Sequence, residues 1–243
     1  MKGTAGRVAE IRAYCEAHAD PALVKKYSRY FKEGYDAYGV SLPLFEAGRD
    51  RFLTEWRGEL GLAGFLELGD ALIREGKYEL PSFAISFARA FLAEFTPAEF
   101  QRMGRWLAEG VGNWAHCDFL SGEILSPCLL RGVVPMEAMA DWRVSPSRWQ
   151  RRAVPVSLIK PFKQTGAIEP ALEFIEPLMP DAERVVHQGL GWMLREAWKK
   201  QPAPVEAFLL QWKDTAARLI FQYATEKMTP AQKERFRRTR KPL

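Results

Sequence analysis

Three stretches of this chain repeat one pattern at the spacing of a helix pair, and that spacing limits the fold more than any other feature. They are Asn113-Trp114-Ala115-His116-Cys117-Asp118, Arg148-Trp149-Gln150-Arg151-Arg152-Ala153, and Val185-Val186-His187-Gln188-Gly189-Leu190-Gly191-Trp192-Met193-Leu194-Arg195. Trp149 follows Trp114 by 35 residues and Val186 follows Trp149 by 37, the length of one helix-turn-helix unit in an α-solenoid. If each stretch opens the inner helix of its repeat, stacking sets equivalent positions side by side, and Asp118, Arg152, Trp192 and Arg195 fall along one concave wall.

The rest of the chain agrees with an all-α superhelix, a solenoid of helical repeats. Apolar positions recur at helical spacing through Val8, Ile11, Tyr14 and Cys15, and again through Val24, Tyr27, Tyr30 and Phe31. Pro43 pushes Leu42 toward extended geometry, so Gly39-Val40-Ser41-Leu42-Pro43 reads as a loop. Helical segments follow over 44–56 and 61–76. Thr96-Pro97-Ala98-Glu99 has the residues of a capping box, with proline at the first helical position. Ser145-Pro146 and Thr229-Pro230 are helix starts of the same kind. No stretch alternates apolar and polar residues between hairpin turns. Pro127, Pro135, Pro146, Pro161, Pro170, Pro180 and Pro202 punctuate segments of helix length, while Pro155 falls in the helix begun by Arg151 and Arg152, where it kinks the helix or sits in its first turn. We expect one domain over 1–232 and a disordered basic tail over 233–243.

That tail carries the charge imbalance. The net charge is +5, and the tail holds 6 of the 35 basic and 1 of the 30 acidic residues, leaving 29 of each in the body. Attraction to phosphate then requires charge segregated on one face. Nothing in the chain is apolar over a membrane-spanning length, and the first residues lack a signal-peptide core, so a cytoplasmic protein with no membrane partner is expected. Cys15, Cys117 and Cys128 have no paired spacing, and His18, His116 and His187 are scattered, which argues against a metal site or a disulfide framework.

Trp114 and Asp118 are four apart and share a helix face. A carboxylate held beside an indole stabilises cationic character in a transition state and positions water. A tryptophan on a helix is more often core, and an aspartate near a helix start more often a cap. Arg151 and Arg152 point about 100° apart, so at most one faces the groove squarely. Trp192 and Arg195 share a face at i and i+3. Gly189 and Gly191 each lower helix propensity by about 1 kcal/mol relative to alanine, either to let something approach the backbone or to let helices pack closely.

These residues resemble a known family. Trp114-x-x-x-Asp118, Trp149-x-x-Arg152-Ala153 and Gly191-Trp192-x-Leu194-Arg195-Glu196 look like the DNA alkylation repair family of HEAT-like-repeat DNA glycosylases, the AlkD type, over most of the chain from about Tyr30. The resemblance implies a curved helical stack that holds duplex DNA and excises cationic N3- and N7-alkylated purines without inserting the base in a deep pocket, needing no metal or cofactor and acting as a monomer at the nucleoid. It implies Asp118 as catalytic residue, Trp114 and Trp192 as tryptophans contacting DNA around the lesion, Arg152 as a groove arginine, Arg195 on the phosphate side, and Tyr30 near the DNA, with Arg151 as a further contact. The chain departs from the family at Ala115, where an acidic residue can follow the first tryptophan, and at Ser41, where a loop glutamine can stand.

The chemistry is consistent with that role. A purine alkylated at N7 or N3 is positively charged and leaves without protonation, so stabilising the oxocarbenium-like sugar and orienting water are what remain for a carboxylate. Two readings from other classes stand beside it: a catalytically silent helical-repeat module that binds DNA or protein through the same groove, and a peptide-binding scaffold. A carboxylate facing phosphates repels them, so Asp118 between two indoles favours catalysis over a pure DNA-binding scaffold.

Overall fold

The computed structural model describes residues 2–32 and 34–239, and among them there are helices and no strands. The chain divides into two compact units, Met1–Leu120 and Ser121–Leu243.

The first unit contains α1 (Thr4–Ala17), α2 (Pro21–Ser28), α3 (Leu42–Leu72), α4 (Glu79–Ala90), α5 (Pro97–Glu109) and α6 (Trp114–Leu120). Asp20 caps α2 by accepting the Ala22 N–H at 2.8 Å, with Pro21 at the first position. The long α3 is broken at Gly61, where φ is 52° and ψ −165°, a conformation that glycine alone adopts without strain. The two helical segments expected over 44–56 and 61–76 are the two sides of this break. The expected capping box of α5 forms, Thr96 accepting from Ala98 and Glu99 accepting the Thr96 N–H at 2.9 Å. Fully buried Phe52, Phe65, Phe83, Phe87 and Phe100 fill the core. The repeat length is visible in side-chain pairing: Arg102 and Trp106 of α5 both donate to Asp70 of α3, from 32 and 36 residues away.

The second unit begins with a π-helical turn at Ser121–Leu125, then α7 (Ser126–Leu130), two 3-10 turns, α8 (Arg148–Thr165), α9 (Ile168–Ile175), α10 (Arg184–Trp198), α11 (Pro202–Trp212), α12 (Arg218–Ala224) and α13 (Pro230–Glu234). Helix α8 lies against α10, and α10 against α12. The first pair runs parallel: Arg152 reaches Val185 and Gly189, and Lys163 reaches Glu196. Two of these contacts join residues 33 apart and one joins residues 37 apart, so the helices meet within one turn of the 37-residue spacing of Trp149 and Val186.

Pro161, expected between helices, lies inside α8 together with Pro155. A proline at 161 cannot donate to the carbonyl of Ser157, four residues earlier. The buried Ser126 hydroxyl of α7 donates to that carbonyl at 2.7 Å instead, so a helix–helix contact satisfies the acceptor that the proline leaves open. Ser145-Pro146 precedes the helix rather than opening it: α8 starts at Arg148, with the Ser147 N–H donating to the Ser145 hydroxyl at 3.0 Å.

The segment expected as a disordered tail is held down over its described part. Phe236 is buried, Arg218 donates to its carbonyl at 3.0 Å, Arg238 donates to the Ala216 carbonyl at 3.1 Å, and Thr239 N–H donates to Asp214 at 2.6 Å. The reason is Phe236, an aromatic anchor inside a basic run. Arg240 to Leu243 lie outside the described residues. No described helix is long and apolar enough to cross a membrane. Among the described residues no group of three His, Cys, Asp or Glu is placed to hold a metal ion.

Candidate nucleic-acid site

The start of α6 is fixed by a buried polar network. Asn113 stands just before the helix, and its Oδ1 accepts the backbone N–H of His116 at 2.9 Å while its Nδ2 donates to His116 Nδ1 at 2.8 Å. His116 Nε2 then carries the proton and donates to the Tyr78 carbonyl at 2.9 Å, with the Ser82 hydroxyl 3.0 Å away. The imidazole is stacked on the Tyr78 ring, centroids 4.5 Å apart. Burial lowers its pKa to about 4, opposed by the hydrogen bond to the Tyr78 carbonyl, so at neutral pH the ring is uncharged. This ties α6 to α4 and sets the direction in which Trp114 and Asp118 leave the helix. The sequence assigns His116 no role. Its signal is the Asn113-x-x-His116 spacing at a helix start, an asparagine cap whose recipient also carries a side chain that can return the bond.

Trp114 is half-buried. Its indole N–H donates to the Tyr30 carbonyl at 3.1 Å, and its ring stacks on Phe31 at 5.4 Å and 20°. Phe31 stacks in turn on Tyr35 at 4.6 Å and 19°. The Tyr30 ring remains 53% exposed, with the Arg29 guanidinium 4.9 Å from its centroid. Asp118, one turn along α6 from Trp114, is half-buried. The first unit thus brings Tyr30, Trp114 and Asp118 into one neighbourhood. Beside Trp114 lies a cavity of about 600 Å³ walled largely by aromatic rings.

In the second unit the arginines are more committed than the sequence suggests. Arg151 pairs with Asp181 at 2.6 Å and donates to the Ser145 carbonyl at 2.6 Å and the Pro146 carbonyl at 3.1 Å. Arg152 is 5% exposed and donates to the Val185 carbonyl at 2.6 Å. Both therefore clamp the start of α8 onto the chain around α10, where the sequence places Arg152 on an open groove. The reason is the α8–α10 register, which sets Arg152 against the first turn of α10. Trp149 is likewise core, 6% exposed.

On α10, Trp192 is half-buried, and among the described residues it makes no side-chain hydrogen bond and no ring contact. One turn on, Arg195 pairs with Glu226 and with Glu196, the latter at 3.3 Å. Burial alone would raise the Glu196 carboxyl, but hydrogen bonds from Lys163 and Lys199 outweigh it and hold the pKa at about 2. Gly189 and Gly191 serve packing. A Cβ at Gly189 would stand 3.2 Å from Arg152 Cγ, and one at Gly191 would stand 2.4 Å from Tyr223 Cβ and 2.8 Å from the Ile220 carbonyl. The glycines let α8 and α12 approach α10.

The fold is that of an all-α helical-repeat protein, in which Trp114 and Trp192 are half-buried and Asp118 stands one turn from Trp114. Residues 11–228 match the model of the family described as DNA alkylation repair enzyme, and the chain belongs to that family. Two solved structures share the fold. The predicted DNA alkylation repair enzyme from Enterococcus faecalis is 16% identical with a TM-score of 0.75, covering 88% of this chain and 98% of that one. AlkD2 from Streptococcus mutans is 21% identical with a TM-score of 0.57, covering 84% and 96%. No curated protein gives a significant match.

Proposed function

We propose that this protein is a DNA glycosylase that hydrolyses the N-glycosidic bond of cationic N3- and N7-alkylated purines in duplex DNA, working as a monomer in the cytoplasm without a cofactor. The observation that carries this reading is Asp118 one turn after Trp114, on a helix whose start is bolted in place by Asn113 and neutral His116. Family membership supports it.

In the proposed reaction the C1′–N9 bond breaks and its electron pair neutralises the charged purine, which leaves as the free alkylated base. The cationic sugar is stabilised by the Asp118 carboxylate, which also orients the water that adds to C1′; the water's proton passes to the carboxylate and then to solvent. The carboxylate acts where positive charge develops, so it favours the transition state over the substrate. Trp114 lies against the sugar and lesion, where a cation over an indole is worth about 0.5 to 2 kcal/mol, and Trp192 contacts DNA. Tyr30 and Arg195 contact the backbone, and Arg151 and Arg152 act indirectly by fixing the start of α8.

The experiment is base release from duplex DNA carrying 7-methylguanine or 3-methyladenine. Free alkylated base with an alkali-labile abasic site is expected. Tight duplex binding with no release would overturn the reading in favour of a silent DNA-binding repeat protein.

A further inference from the structure

Three stacked helices of the second unit open on the same residue type. Arg148 is the first residue of α8, Arg184 of α10 and Arg218 of α12, at spacings of 36 and 34 residues. The repeat length that sets one helix beside the next therefore sets these side chains along one edge of the layer. The contacts agree. Arg148 reaches Glu183, the residue before Arg184, at 3.7 Å. Helices α10 and α12 run parallel, with Gln188 donating to the Tyr223 hydroxyl at 2.9 Å and Arg195 pairing with Glu226, which puts Arg218 within about one turn of Arg184 along the stack.

Helix formation does not call for these arginines. A cation in the first turn opposes the helix dipole, and none of the three first turns holds a carboxylate to offset it. Arg184 is exposed and makes no side-chain hydrogen bond or ion pair with any described residue. Arg218 donates to the Phe236 and Lys213 carbonyls at 3.0 and 3.4 Å and lies over the Phe221 ring. Arg238, brought to the same edge by buried Phe236, donates to the Ala216 carbonyl at 3.1 Å. Neither of these two has a described carboxylate within ion-pair distance. The acids nearby are engaged elsewhere, Asp181 with Arg151 and Asp214 with Lys213 and the Thr239 N–H. Burial first, and then the Arg238 guanidinium, hold the Arg218 pKa below its ordinary value; an anion between two such cations relieves their repulsion.

We propose that Arg148, Arg184, Arg218 and Arg238 form a row that holds phosphates of one DNA strand, a role that buried Arg152 does not fill. The planar guanidinium suits it, since its paired N–H groups match two phosphate oxygens. Two steps between packed helices of about 8 to 10 Å each give a row of about 16 to 20 Å, the rise of about five nucleotides of one strand at about 3.4 Å each. The identity of the polyanion rests on the proposed action on DNA. Arg238 lies beyond residues 11–228, the part that matches the family, so one end of the row is an addition by this chain.

The test is the affinity of the full chain for an undamaged duplex, measured by fluorescence anisotropy over a series of salt concentrations. Arg184→Ala removes no contact within the described fold and should make the slope of log K against log salt shallower by about 0.9. The double variant Arg184→Ala/Arg218→Ala should lose about 1.8, while Arg184→Lys, which keeps the charge, should hold the wild-type slope. Lys200→Ala, an exposed cation past the opposite end of α10, should leave the slope unchanged. Thermal melts check that each variant folds. A wild-type slope in Arg184→Ala overturns the proposal, as does an equal loss in Lys200→Ala, or a wild type that binds no duplex. Because the duplex is undamaged, the titration does not depend on base release. Release of alkylated base with an unchanged Arg184→Ala slope keeps the glycosylase reading and removes the row; a shallower slope in a protein that releases no base does the reverse.

Discussion

The indole of Trp114 donates its N–H to the backbone carbonyl of Tyr30 at 3.1 Å, joining two residues 84 apart in sequence that are each singled out for the candidate site. The bond fixes the tilt of the indole, and the stack on Phe31 fixes its plane. Trp114→Phe keeps the stack and loses the bond. It should lower unfolding stability by about 1 kcal/mol, read as a shift in the urea midpoint; an unchanged midpoint would mean that the bond contributes nothing.

Asp118→Asn keeps the size of the side chain and removes its charge. Duplex affinity should change by no more than about threefold, while release of 7-methylguanine falls by at least about a hundredfold. Equal release by variant and wild type would remove Asp118 from the reaction.

His116 links stability to pH. Its folded pKa, about 4, lies below the ordinary value of 6.5, so the unfolded chain takes up a proton that the folded chain refuses. Stability should therefore fall as pH drops from about 6.5 to about 4, by up to about 3 kcal/mol. Glu196 acts in a separate window: its pKa of about 2 makes its contribution present above about 4.5 and lost only below that. Urea unfolding at pH 7, 5.5 and 4.5 reads the histidine part, and His116→Gln should flatten it.

Gly191→Ala should destabilise by about 1 to 3 kcal/mol, despite the roughly 1 kcal/mol that alanine adds as a helix former. The new methyl meets Tyr223 Cβ at 2.4 Å and the Ile220 backbone at 2.8 Å, so α12 has to move. Gly189→Ala, with its nearest neighbour at 3.2 Å on a flexible arginine stem, should cost less. Thermal melts of the two variants check the order, and a more stable Gly191→Ala would contradict the packing role.

Arg152→Ala separates a clamp from a phosphate contact. Loss of the buried bond to Val185 should cost about 1 to 3 kcal/mol of stability, with the salt dependence of DNA binding unchanged. A slope shallower by about one unit would place the guanidinium on a phosphate instead.

The sequence by itself determined the all-α class, the repeat length, the break in α3 near Gly61, the caps at Thr96 and Thr229, and the pairing of Trp114 with Asp118 on one helix face. These are local or periodic properties, set by backbone propensities and by spacing along one helix. Only the tertiary structure decided that Arg151 and Arg152 are clamps, that Gly189 and Gly191 are packing contacts, that Pro161 lies inside a helix with Ser126 as its remedy, and that His116 fixes the start of α6. It also decided that Phe236 anchors a basic segment and that aromatic rings from several elements line a cavity beside Trp114. Each of these depends on which residue of another helix stands opposite, and helical periodicity gives the face a side chain takes without naming its neighbour.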